Sequence, residues 1–89
     1  MLDERTLTFV DAQPRSNGEA ALFRGWNGAT IVSCAISREA LEDHFDGDNK
    51  DLLKVFKANH ERIEHEARRK YLAGQIEKDL SVLIRTLDL

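Results

Sequence analysis

The chain has 89 residues, 42% of them apolar and 33% charged, with a formal net charge of −3. A chain this short is one domain with one core, burying roughly 60% of its unfolded surface, and its composition excludes a disordered polymer. No apolar run approaches the ~20 residues of a membrane span. Met1-Leu2-Asp3-Glu4-Arg5 lacks the basic-then-apolar opening of a signal peptide, and Cys34, the single cysteine, has no internal disulfide partner. The expected setting is therefore the reducing cytoplasm.

The first predicted element is a short strand over 6–10, Thr6-Leu7-Thr8-Phe9-Val10, where polar and apolar residues alternate. Asp11 to Gly18, with Pro14, Ser16 and Asn17, reads as a loop. Two β-rich runs, 21–26 and 29–36, then flank Asn27-Gly28, a dipeptide that suits a tight hairpin turn. A two-residue loop there sets Phe23 against Val32 and Ala21 against Cys34, with Ile36 continuing the core side. On the opposite face it sets Leu22 with Ser33, Arg24 with Ile31 and Trp26 with Ala29, and because Leu22, Trp26 and Ile31 are apolar, that side of the sheet is predicted to be only partly covered by this chain.

Ser37 reads as the N-cap of a short helix with Glu39 and Glu42 in its first turns; Ala40, Leu41 and Phe45 share its apolar face. Asp46-Gly47-Asp48-Asn49 ends it and can cap a long helix over 50–73, whose buried stripe is Leu52, Phe56, Ile63 and Ala67, with Leu53, His60 and Tyr71 on the flanks. Gly74 stops that helix. Residues 81–87 read as a closing strand. The expected fold is α+β: a small antiparallel sheet, made of the hairpin and the N- and C-terminal strands, packed against one short and one long helix.

The segment Gly28-Ala29-Thr30-Ile31-Val32-Ser33-Cys34-Ala35-Ile36-Ser37, followed by Glu39-Ala40-Leu41-Glu42-Asp43-His44-Phe45, resembles the YrdB-like family of short bacterial proteins of unknown function. Phe56, His60, Ile63 and Ala67 on the second helix match its spacing. The resemblance runs from about Phe23 onward and is loose over the first twenty residues. It implies the same small α+β fold and carries no catalytic residues. Association of some relatives with shikimate-pathway genes implies a regulatory context.

Charge is unevenly spread: residues 1–48 carry four basic and nine acidic side chains, residues 49–73 seven and four, and residues 74–89 two and three. The basic block reads first as a solvated helix with cations near its C-terminal end. Its functional alternative is a basic face of Lys54, Lys57, Arg68, Arg69 and Lys70 for an acidic partner or a phosphate backbone.

Motifs for chemistry fail one by one. His60 and His65 stand at i, i+5, about 140° apart around a helix, so they cannot share a zinc as a zincin pair does. An EF-hand loop counted from Asp46 would need Gly at position 51 and Glu at position 57, which are Asp51 and Lys57. Cys34 alternates toward the core, and His44, though near in sequence, forms no nucleophile motif with it. Trp26 beside Arg24 fits stacking on a base or peptide as well as a core or dimer contact. No catalytic residue, metal or cofactor is expected. The leading reading is a non-catalytic protein-binding or regulatory module, or a homo-oligomer, acting through Leu22, Arg24, Trp26 and Ile31. The second is a nucleic-acid-associated regulator using the basic helix, and a small enzyme comes last.

Overall fold

The computed structural model describes residues 7–9, 14–45 and 51–89. Its elements are β1 (Arg15–Ser16), β2 (Ala20–Asn27), β3 (Thr30–Ser37), α1 (Arg38–His44), α2 (Leu52–Ala58), α3 (His60–Leu72), β4 (Val82–Ile84) and a 3₁₀ turn over Thr86–Asp88. The four strands form one sheet in the order β1-β2-β3-β4, so the α+β class holds. The sheet, however, is mixed: β1, β2 and β3 are antiparallel, and β4 runs parallel to β3. A parallel neighbour requires a crossover, and here α1, α2 and α3 supply it.

The hairpin register differs from the expected one by two residues. Phe23 pairs with Cys34 and Ala21 with Ile36, and the loop is Gly28-Ala29. Gly28 takes φ of +61°, the first loop position alone being positive, as in a type II′ turn. A shift of two leaves every side chain on its expected face: Ala21, Phe23, Val32, Cys34 and Ile36 are all buried.

The predicted first strand is reduced to a bridge between Thr8 and Trp26, their N–H groups donating to each other's carbonyls at 2.9 and 2.8 Å; Thr6 and Val10 lie outside the described residues. Leu7 is fully buried and Phe9 packs on the core. The segment lies close over Gly25, where a Cβ would come within 2.9 Å of the Phe9 ring. The expected loop from Asp11 to Gly18 contains β1, since Arg15 pairs with Leu22 and Ser16 with Ala21.

Ser37 caps α1 as expected, its Oγ accepting from the Ala40 N–H at 3.1 Å. The single long helix is instead two. Asn59 breaks it with φ of −126°, and its Nδ2 donates back to the Val55 carbonyl at 2.9 Å, the local side-chain-to-backbone bond by which Asn competes with helix continuation. Asp51 caps α2, accepting from the Leu53 N–H at 2.8 Å; the proposed cap at 46–49 lies outside the described residues. The stripe survives the break, with Leu52, Phe56, Ile63 and Ala67 all buried. His60, placed on its flank, is exposed. At the far end the Gly74 N–H donates to Tyr71 and the Gln75 N–H to Lys70, with Gly74 at φ of +75°, a Schellman stop. The closing strand is shorter than 81–87, because the chain turns into the 3₁₀ segment after Ile84.

The core lies on one side of the sheet. Phe23 packs its ring 4.9 Å from Phe56 and 5.8 Å from Phe9, joined by Leu41, Ile63, Val82 and Ile84.

Candidate functional site: the outer face of the sheet

Strand alternation that sends Phe23, Cys34 and Val82 inward sends their neighbours outward. Register places Leu22 beside Ala35 and Arg15, Arg24 beside Ser33, Trp26 beside Ile31 and Thr8, and Leu83 beside Ala35. Leu22, Trp26, Ala35 and Leu83 are partly buried, whereas Arg15, Arg24 and Ser33 are exposed. Ile31 is 47% exposed. Leu22, Arg24, Trp26 and Ile31, expected together on one side of the hairpin, thus share one face of the sheet.

A groove of about 260 Å³ is cut into this face, lined by Arg15, Leu22, Arg24 and Ser33. Phe23 and Cys34 border it as well, and because their side chains point into the core only their backbone faces it. Two guanidinium groups and a hydroxyl over an apolar floor offer donors and no carboxylate. Among the described residues neither Arg15 nor Arg24 is in an ion pair.

The sheet offers little at its edges. β1 is two residues long and preceded by Pro14, both features that blunt strand addition. At the other edge the Lys70 ammonium donates to the Leu83 carbonyl at 2.7 Å, occupying a backbone acceptor of β4.

The basic residues do not form one face. Lys54 and Lys57 are exposed on α2. Arg68 donates to the Leu7 carbonyl at 2.9 Å and stacks over the Phe9 ring at 5.5 Å. Arg69 is paired with Glu66, which also holds its guanidinium above the usual range. Lys70 is buried at 3% exposure and bonded to Asp88 at 2.7 Å. The break at Asn59 separates the first two from the last three.

The other candidates carry structural contacts. Cys34 is buried and its thiol is pushed up to about 12 by desolvation, against a backbone hydrogen bond at Gly25 that lowers it, the opposite of a nucleophilic thiolate. His44 reaches the Thr86 carbonyl at 3.1 Å rather than Cys34. His60 pairs with Glu64 at 3.4 Å on the exposed side of α3. Among the described residues no group of three or more His, Cys, Asp or Glu is placed to hold a metal ion, and no helix is long and apolar enough to cross a membrane.

Sequence reasoning placed Ser33 on this face, opposite Leu22 where the structure sets it opposite Arg24, and missed Arg15 and Leu83. A two-residue strand shows no alternation, so Arg15 carried no signal.

A family model described as a protein of unknown function, DUF1488, matches residues 7–84. The chain belongs to the DUF1488 family. Comparison with curated proteins gives no match. A crystal structure of a DUF1488 protein of unknown function from Shewanella loihica PV-4 is similar in fold, with a TM-score of 0.75 at 14% identity, covering 94% of this chain and 96% of that one. Conservation of the DUF1488 fold at so low an identity is a property of the backbone and core; it assigns no role to the outer face.

Proposed function

We propose that this DUF1488 protein is a non-catalytic, cytoplasmic protein-binding module whose working surface is the outer face of its sheet. One observation carries the reading: Leu22, Trp26 and Ile31 are gathered with Arg24 on a sheet face that none of the described helices covers. A cluster in which Leu22 and Trp26 are partly buried, Ile31 is exposed and polar groups form the rim has the make-up of an interaction site. Recognition by strand addition is disfavoured by Pro14 at one edge and by Lys70 at the other, which leaves the face. The basic helix is the weaker surface, because Arg68, Arg69 and Lys70 spend their charge on Leu7, Glu66 and Asp88.

The test compares proteins retained from native lysate by the parent chain and by Ile31→Asp. Ile31 is half exposed, so the substitution keeps the fold, with Tm expected within about 3 °C of the parent. Retention of a discrete set by the parent and its loss by the variant supports the reading. The same set retained by both, or retention abolished by nuclease, overturns it.

A further inference from the structure

We propose that the groove between Arg15 and Arg24 is a carboxylate-recognition site, and that the partner laid on this face is an extended acidic-apolar segment of another protein. The inference rests on the reading of the face as a binding surface and adds the chemistry of what it binds.

The geometry begins with register. Arg15 pairs with Leu22 and Arg24 follows two residues later, so the two arginines occupy diagonal positions roughly 7–8 Å apart across adjacent strands. Their long side chains can both reach one carboxylate lying over Leu22. Two like charges held this close repel, so an anion between them gains from both, and a planar guanidinium matches carboxylate geometry with paired donors. The Ser33 hydroxyl stands opposite Arg24 on β3 as a further donor.

Beyond the groove the chemistry changes. Trp26 and Ile31 are paired next to the hairpin turn, two residues past Arg24 and Ser33, or about 7 Å along the strands. Alternate side chains of an extended peptide have that same spacing. A segment whose carboxylate sits at Arg15 and Arg24 therefore places its residue two positions along over Trp26 and Ile31, where an aliphatic or aromatic side chain fits.

Sign selects among occupants. The chain has a net charge of −3, yet the described residues of this face include two arginines and no acid. A second copy of the chain docked face to face would bring no carboxylate to Arg15 or Arg24, since the described residues of the face include no acid, and would add two more like charges to the contact. A nucleic-acid backbone presents a row of phosphates and wants a row of cations, whereas here two cations are followed by an apolar pair.

The experiment titrates ¹⁵N-labelled full-length protein with blocked ten-residue peptides alternating Glu/Leu, Gln/Leu and Lys/Leu, and with a thymidine decanucleotide, reading amide shifts. The expected result is saturable shifts at Arg15, Leu22, Arg24, Ser33 and Ile31 with Glu/Leu, and binding at least tenfold weaker for Gln/Leu. In R15E/R24E the preference should invert toward Lys/Leu; should that variant not fold, Arg24→Gln is expected to weaken Glu/Leu binding alone. Equal binding of Glu/Leu and Gln/Leu would overturn the carboxylate site while leaving the face as a binding surface. Shifts of these amides by the decanucleotide at lower concentration than by Glu/Leu, or no shift on the face with any peptide at millimolar concentration, also overturn it, and the lysate comparison with Ile31→Asp then decides the broader reading separately.

Discussion

The Lys70 ammonium and the Asp88 carboxylate meet at 2.7 Å, joining the last turn of α3 to the C-terminal 3₁₀ turn. Lys70 is buried, and its second bond goes to the Leu83 carbonyl; Asp88 also accepts from the Arg85 N–H at 2.8 Å. Three parts of the chain are thus fastened at one oxygen-rich point. Removing one member of a buried pair strands the other, at roughly 3–5 kcal/mol where burial is complete. Asp88 is partly open to water, so Asp88→Asn should cost about 2 kcal/mol. Lys70→Met should cost less, since a thioether fits the buried site and the carboxylate can turn to solvent. Urea denaturation of both variants tests the order.

That pair also sets a pH dependence. Burial pushes the Asp88 carboxyl up, but hydrogen bonds from Lys70 and the Arg85 N–H, with the charges of Lys70 and Arg85, outweigh it and hold the group below its ordinary value. A group depressed in the folded state stabilises above its unfolded pKa, about 3.9. That contribution is lost as pH falls through the lower folded value. Stability of the parent should therefore fall on acidification below about pH 4, and Asp88→Asn should show a shallower fall. Thermal scans between neutral pH and the acid limb would show it; parallel curves would refute the assignment.

Much of this could be read from residues in order, and the limits have physical causes. The faces of the hairpin were predictable because period-2 alternation is indifferent to a shift of two, while the turn was not, because only Gly28 needs a positive φ and Asn27 merely flanks it. Helical periodicity runs straight through Asn59, since Leu52, Phe56, Ile63 and Ala67 keep their spacing on either side of the break. Alternation carries no direction, so β4 could not be known to run parallel to β3. The burial of Lys70 was invisible because it depends on Asp88, eighteen residues away. At the candidate site, Leu22, Arg24, Trp26 and Ile31 were found from the hairpin alone, and Arg15 needed the fold.

Backbone conformation supplies a pair of opposed outcomes. Leu80 holds φ of +69° and is 76% exposed, a left-handed conformation that costs an L-residue about 1–2 kcal/mol. Asn tolerates it, so Leu80→Asn should stabilise by about 0.5–1 kcal/mol. Gly74 takes φ of +75° with open space around it, so Gly74→Ala should destabilise by about 1 kcal/mol through φ alone, without a clash. Calorimetry should move Tm in opposite directions for the two.

Cys34 gives a reactivity prediction. With its thiol buried and pushed up to about 12, almost no thiolate is present at pH 8, and modification requires opening of the sheet. Its reaction with an aromatic disulfide reagent should be slow in buffer and rise with urea in step with unfolding. Prompt reaction of the native protein would show that the hairpin opens locally.

Arg68 tells whether the basic helix serves structure or partners. Its Nε holds the Leu7 carbonyl at 2.9 Å and its guanidinium lies over Phe9, so the charge is turned toward the N-terminal segment that the Thr8–Trp26 bridge ties to β2. A hydrogen bond from a charged group and a cation–π contact together amount to about 1.5–3 kcal/mol, partly offset because the site is not fully buried. Arg68→Ala should therefore loosen that segment, and amide exchange at Thr8 and Trp26, whose mutual bonds measure 2.9 and 2.8 Å, should accelerate about tenfold or more, as 1.4 kcal/mol would give. Lys57→Ala, an exposed change on α2, should leave both amides as they are. Acceleration confined to Arg68→Ala makes this arginine a clasp for the strand beside Trp26, and hence a determinant of how firmly the hairpin end of the outer face is held. Equal exchange in both variants would release Arg68 for a role in solution.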